Sequence, residues 1–368
     1  MRAEAAERTI EPKLHLAAAP PAVATEPSAT QPPEARGLAR DQVRLLVAEP
    51  SGIHHRFFRD IGRFLRPGDL LVVNTSATLA SATDGVRRDS RRVVVHFSSA
   101  AGDGTWVVEL RVPDGSGPAR DGVRGERIVL SGSALLTLME SYPDPGVPAS
   151  RLWRAQVDLD DSVANYLARW GRPITYGYLN GAWPLEMYQT VFSCEPGSAE
   201  MPSAARPFTD RLVTQLISNG VLFAPVLLHA GVSSLEAAEP PPPERYRVTA
   251  TTAALVNHVK GSGGRVIAIG TTPTRALETV ANRDGNVSPG EGWTELVLSP
   301  DRPAQVVDGL VTGWHSSDAP HIGLLEAVAG SHMVAEAYAA AREARYLWHE
   351  FGDSALFLPN RPRPAGTA

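Results

Sequence analysis

Between residues 84 and 159 the chain changes its period, and this interruption constrains the fold more than any other feature. Short β-prone runs at 92–97, 105–112, 127–130 and 152–157 alternate there with turns rich in Gly, Asp, Ser and Pro, the pattern of a small all-β unit. On either side, strand-like and helix-like stretches alternate. Strands are read at 43–47 and 70–73 around an Arg-rich amphipathic helix at 54–65. Beyond the interruption come a helix at 209–218, a strand at 221–229, a helix at 252–260 and a strand at 266–269. Strands at 295–298 and 305–311 and one long helix at 324–345 complete the series. Such alternation builds a mostly parallel sheet that binds ligands beyond the carboxyl ends of its strands. The expected architecture is an α/β domain (36–83 and 158–362) interrupted by an inserted β-barrel domain (84–157). Residues 1–35 read as a flexible Pro/Ala-rich arm and 363–368 as a tail.

The segment RVIAIGTTPTRALE, 265–278, is a strand, a turn and a helix start. Gly270 permits a tight exit, and Thr272 followed by Pro273 reads as an N-cap with proline at the first helical position. The turn is either punctuation between two elements or a site where free N–H groups, the hydroxyls of Thr271 and Thr272, and Arg275 receive an anionic ligand group. The sequence leaves both readings open.

Composition narrows the class. With 368 residues and 43% hydrophobic content, the chain can bury the core of two domains. Its longest apolar run, 221–232, is broken by Pro225 and His229 and is too short to cross a bilayer. The charged N-terminus lacks the apolar core of a secretion signal, so a cytoplasmic monomer with no membrane partner is expected. Cys194, the sole cysteine, excludes a disulfide framework and reads as a buried neutral thiol. A net charge of −5 does not suit a dedicated nucleic-acid packager. The stretch 36–127 nevertheless carries fifteen Arg against eleven acidic residues, with Arg87, Arg88, Arg91 and Arg92 clustered, a weak pointer to an RNA partner.

Taken in order, PPEARG at 32–37, RLLV at 44–47, IHHRFFRDI and LRPGDLLVVN within 53–74, YQTVF at 188–192, the RVIAIGTTPTRALE segment and FGDSALFL at 351–358 resemble the S-adenosylmethionine:tRNA ribosyltransferase-isomerase family of queuosine biosynthesis. The resemblance covers about nine tenths of the chain. It implies an α/β domain interrupted by a β-barrel. It also implies transfer and rearrangement of the ribosyl moiety of S-adenosylmethionine onto a 7-aminomethyl-7-deazaguanine base in tRNA, with release of adenine and methionine. Three segments depart from the family pattern. The chain reads NTSATLASA at 74–82 where the family has an additional Asp and Arg, MPSAARPFT at 201–209 where it has a His in place of Pro207, and GWHSSDAP at 313–320 where it has a Lys. The departures raise two alternatives: S-adenosylmethionine used with a small-molecule acceptor, or a non-catalytic S-adenosylmethionine or RNA binder.

Chemistry of the implied kind needs a base for the 5′-methylene beside the sulfonium, help for the departing adenine, and a clamp for the methionine end. The sulfonium already acidifies the methylene, so a modest base suffices, and histidine is the side chain most readily poised near neutral pH. His229 and His315, each at a strand end, are the candidate catalytic residues, with Asp353 to orient a histidine or receive ribose hydroxyls. Candidates for binding are Gly270, Thr271, Thr272 and Arg275 at the opening turn, Asn74, and Tyr188 or Trp314 to stack on adenine. His315, Asp318 and His321 would fit a metal only loosely, and no metal is expected.

Overall fold

The computed structural model describes residues 26–233, 241–316 and 321–360; the expectations for 1–25, for 361–368 and for Asp318 lie outside them. The chain enters the α/β domain with β1 (Arg44–Glu49), β2 (Gly52–Phe57) and β3 (Leu70–Asn74). β3 is buried at every position, as a central strand covered on both faces must be. The expected helix at 54–65 is not formed. Its first residues pair with β1 as an antiparallel hairpin, and Phe58–Phe64 continue as a 3-10 helix whose buried residues, Phe58 and Ile61, stand three apart. A spacing of three is the period of the tighter helix. Residues 54–57 pair instead with the open edge of β1.

After a short β4 (Ser76–Thr78), six strands close an antiparallel barrel: β5 (Ala82–Arg87), β6 (Arg92–Ala100), β7 (Trp106–Arg111), β8 (Arg127–Leu130), β9 (Leu135–Ser141) and β10 (Leu152–Asp158), in the order β10-β7-β6-β5-β8-β9. Four were legible as runs. β5 and β9 were not, since Ala82–Arg87 carries Asp84 and Gly85 within its length. Gly85 leaves room for its neighbours there, since a Cβ would lie 2.7 Å from the Ile128 side chain and force it to shift.

The chain then returns through α1 (Val163–Trp170), β11 (Glu195–Ser198), which pairs with β4, α2 (Asp210–Ser218), β12 (Leu222–Leu228), β13 (Glu244–Val248), α3 (Ala250–Gly261), β14 (Val266–Ile269), α4 (Thr271–Thr279), β15 (Gly290–Thr294), β16 (Gly309–Gly313), α5 (His321–Ala329), α6 (Ser331–Glu343) and β17 (Ser354–Phe357). The main sheet has nine strands in the order β15-β13-β12-β3-β14-β16-β17-β1-β2. It is parallel across its centre, from β12 through β3 and β14 to β16. Beyond that core it is mixed: β13, β15, β17 and β2 each add an antiparallel pairing, while β17 and β1 run parallel. The expected long helix is broken at Gly330, whose φ of 81° lies in the left-handed region that ends one helix and starts another. Residues 295–298 are not a strand, because the Arg275 guanidinium takes the carbonyls of Thr294 and Leu296 that a neighbouring strand would need. The strand read at 305–311 begins only at Gly309.

Two further expectations are corrected. Residues 26–35, read as part of a flexible arm, are docked: Ala29 is 1% exposed and bonds the Trp348 carbonyl, and Glu34 holds the buried Arg206 at 2.9 Å. Cys194, read as buried, is exposed.

Candidate active site

The parallel core delivers the ends of β14 and β16 and the loop after β12 to one edge of the sheet, and a cavity of about 400 Å³ opens there. Its position is the one an open α/β sheet offers a ligand. Gly270 leaves β14 with φ 105°, and its N–H bonds the Val311 carbonyl at 2.8 Å. A side chain at this position would be strained in φ and would meet Ala204 at 3.3 Å. The cap of α4 is therefore Gly270 rather than Thr272, and Pro273 stands third in the helix. Thr271 and Thr272 open α4 toward the cavity with no side chain capping their N–H groups.

The other expected residues part company. His315 lines the cavity with its ring stacked on His321, centroids 4.3 Å apart and planes 5° from parallel. Burial pushes His315 well below the ordinary histidine range, with His321 and His349 adding to the effect. His321 and His349 are also lowered by burial, so the three imidazoles are neutral at pH 7. The stacked rings do not converge on a metal, and no group of metal-ligating side chains occurs among the described residues.

His229 does not line the cavity. Its Nδ1 lies 2.7 Å from Ser76 Oγ, and its ring packs over Gly197 so closely that a Cβ there would come within 2.3 Å. The two histidines read as catalytic candidates are therefore not brought together: His315 lines the cavity and His229 does not.

Four more residues are engaged by the protein itself, Arg275 and Trp314 within the cavity wall and Asp353 and Asn74 outside it. Arg275 spends its donors on Leu296 O at 3.1 Å, Thr294 O at 3.2 Å and the Glu244 carboxylate, so it is a strut in the cavity wall and not the expected carboxylate clamp. Trp314 is fully buried among Tyr338, Tyr346 and Trp348 and cannot stack on adenine. Asp353 accepts from the Arg44 backbone at 2.8 Å, from Arg44 Nε at 3.0 Å and from the Leu347 N–H at 2.8 Å, fixing the start of β1 instead of orienting a histidine. Asn74 ties β3 to β12 through Leu228 at 2.8 and 3.0 Å and donates to Thr272 Oγ1 at 3.1 Å. It positions the opening turn without touching the cavity. Tyr188 does line the cavity, with its ring 5.2 Å from Phe351.

The cavity also gathers residues that the sequence reading passed over. Tyr178 is stacked between His349, at 4.2 Å, and Tyr176, at 6.1 Å. Tyr176 donates to Glu200, which also accepts the Ser233 N–H at 2.8 Å and the Ser233 hydroxyl. Tyr178 donates to Glu350, and burial pushes Glu350 up to about 7. The two-residue spacing of Tyr176 and Tyr178 and the His349-Glu350 pair just before the FGD run were the available signals. Among the described residues lining the cavity the only cation is Arg275, neutralised by Glu244. What remains is an aromatic and acidic chamber.

No barrel strand contributes to the lining. The barrel instead clamps the loop after β12: Ser98 Oγ receives the Val232 N–H at 3.0 Å, and Arg151 donates to Ser233 O at 3.2 Å. Half of its expected basic cluster is internally neutralised. Arg87 pairs with Glu126 and Asp121 at 2.5 Å, and Arg91 with Asp89 and Asp121 at 2.6 Å.

An α/β domain with a cavity at the carboxyl edge of its parallel core, held against an inserted six-stranded barrel, defines the class of protein. The chain belongs to the queuosine biosynthesis protein family, whose model matches residues 22–357. It is 33% identical over 330 residues to an S-adenosylmethionine:tRNA ribosyltransferase-isomerase of Symbiobacterium thermophilum, covering 87% of this chain and 94% of that one. It is 32% identical over 337 residues to the protein of the same name from Thermus thermophilus, covering 87% and 93%. A solved S-adenosylmethionine tRNA ribosyltransferase from Thermotoga maritima is 26% identical, with a TM-score of 0.48 over 90% of this chain and 96% of that one. No helix among the described residues is long and apolar enough to cross a membrane.

Proposed function

We propose that this protein is an S-adenosylmethionine-dependent ribosyltransferase-isomerase that acts on a 7-aminomethyl-7-deazaguanine base in tRNA and releases adenine and methionine. The observation that carries the reading is the chamber's chemistry. S-adenosylmethionine brings a sulfonium and the acceptor brings an ammonium, both cations. The rings of Tyr176, Tyr178 and Tyr188 with the carboxylates of Glu200 and Glu350 form surroundings that attract cations and carry no unpaired cation to repel them. The names of the relatives agree with this reading.

The roles follow from position. The uncapped N–H groups of Thr271 and Thr272 at the start of α4 receive the methionine carboxylate, as helix N-termini receive anions. Tyr188 stacks on adenine. His315, kept neutral by burial, has a free ring nitrogen for the proton of the 5′-methylene, which the sulfonium has made acidic. One observation favours a small-molecule acceptor as a second reading: the pairing of Arg87 and Arg91 with barrel acids removes much of the charge that would hold a tRNA backbone.

The test is adenine release from S-adenosylmethionine with three acceptors: tRNA carrying the modified base, the free base, and none. Release with tRNA is the expected result, and His315→Ala should slow it by about 10² to 10⁴. Release with the free base alone establishes the second reading. No release with any acceptor refutes both.

A further inference from the structure

Two carboxylates line the chamber, each receiving a tyrosine hydroxyl, and they differ in how many donors reach them. Glu200 receives three donors, the Tyr176 hydroxyl and both the N–H and the hydroxyl of Ser233, spread over its two oxygens. Glu350 receives the Tyr178 hydroxyl and its own backbone N–H, and no other side-chain donor reaches it among the described residues. It lines the cavity. A half-buried carboxylate with unused lone pairs is open to donors that a ligand supplies. The Tyr178 ring beside it, backed by His349 at 4.2 Å, presents a π face to the same volume, and an aromatic face next to a carboxylate is the usual receptor for an organic cation.

We propose that Glu350 and Tyr178 form a receptor for a protonated primary amine, and that the Glu350 carboxylate removes the proton which the acceptor's ammonium must lose before its nitrogen can bond to carbon. The step is balanced: R–NH₃⁺ and the carboxylate become R–NH₂ and the carboxylic acid, and the freed lone pair is the nucleophile. It rests on the reading of the acceptor as an aminomethyl base. The charged and titratable groups around Glu350 are Tyr178, with Tyr176 and Glu200 beyond it, Tyr188, the adjoining His349, His315 in the same cavity lining, and Arg206, which lines a second small pocket with Glu350. Arg206 is the one cation among them, and it donates to Glu34 and to the Met187 carbonyl, so no cation among the described residues is hydrogen-bonded to Glu350 in the ammonium's place. Glu350, pushed up to about 7 by burial, changes charge across the physiological range, and the receptor fills as it ionises.

The experiment is calorimetry on the full chain with free 7-aminomethyl-7-deazaguanine and with 7-cyano-7-deazaguanine, which has the same ring and no ammonium, at pH 6 and pH 8. Wild type should bind the amine several-fold to about tenfold more tightly at pH 8, because the carboxylate fraction rises across that interval. Glu350→Gln should abolish this gain and weaken amine binding at pH 8 by about tenfold or more, Tyr178→Phe should weaken it less, and neither should change binding of the nitrile. The proposal is overturned if wild type does not bind the amine, if Glu350→Gln binds it like wild type at both pH values, or if the nitrile is weakened equally. Adenine release separates the two ideas. A wild type with Glu350-dependent amine binding and no adenine release refutes ribosyl transfer and leaves the receptor standing. A wild type that releases adenine, with a Glu350→Gln variant equal to it in rate and amine affinity, does the reverse.

Discussion

Arg275 shows what a single position hides. One turn into a helix after a Gly-Thr-Thr turn, it reads as a ligand clamp, yet its counter-ion Glu244 lies 31 residues upstream on β13 and is invisible to any local motif. The pair is buried on both sides, and a buried ion pair broken from one end leaves an uncompensated charge. Arg275→Ala should therefore cost about 3 kcal/mol of stability, read as a lower urea midpoint. A mere surface arginine would give no shift. The same limit applied to Glu350, which gave no sign in the sequence that Tyr178, 172 residues earlier, would face it. The place of His315 in the cavity lining was legible because the end of β16 is a local property. His229, at another strand end, was equally legible and is turned away, since the direction of a ring is decided by neighbours such as Ser76 and Gly197.

Among elements, those fixed by local chemistry were read well. Leu70–Asn74 and Val266–Ile269 are short apolar runs ended by turn residues, and both are central strands. α2 begins where Thr209 caps it, accepting the Leu212 N–H at 3.2 Å. Elements decided by distant pairing were misread: Gly52–Phe57 became a strand because β1 offered an edge, and 295–298 lost its strand to the Arg275 guanidinium. The turn between β14 and α4 depends on one residue. With φ at 105° and Ala204 at 3.3 Å, Gly270→Ala imposes backbone strain on the order of 1 to 3 kcal/mol. It should lower thermal stability and also tilt the first N–H groups of α4, weakening S-adenosylmethionine binding in calorimetry. A variant that folds as well as wild type and binds with full affinity would remove this turn from the site.

For the whole molecule, the division into an α/β domain and an inserted barrel was legible from the change of period, while the clasp made by 26–36 was not, because its Pro/Ala-rich lead-in resembles a linker. Partial burial opposes the charge on Glu34, but the hydrogen bond and charge of Arg206 hold its carboxyl below the ordinary range. A depressed carboxylate contributes stability above its unfolded value, near pH 4.5, and loses it as the pH falls through the folded value. Glu34→Ala, which strands the buried Arg206, should cost about 2 kcal/mol at pH 7, and the gap to wild type should narrow as the pH drops below about 4. A constant gap across pH would assign the loss to packing. The sheet order has a further consequence, for the time course of synthesis. β17, from the last described stretch of chain, lies between β16 and β1, so the hairpin of β1 and β2, made first, has no strand through which to join the sheet until residues 354–357 emerge. The barrel is the opposite case. It is drawn from one unbroken stretch, 82–158, and can close while the ribosome is still adding the second half. Short-range contacts form soon and long-range ones late, so the nascent protein can acquire its insert before its host, and the cavity, which takes His349 and Glu350 into its lining, is completed late.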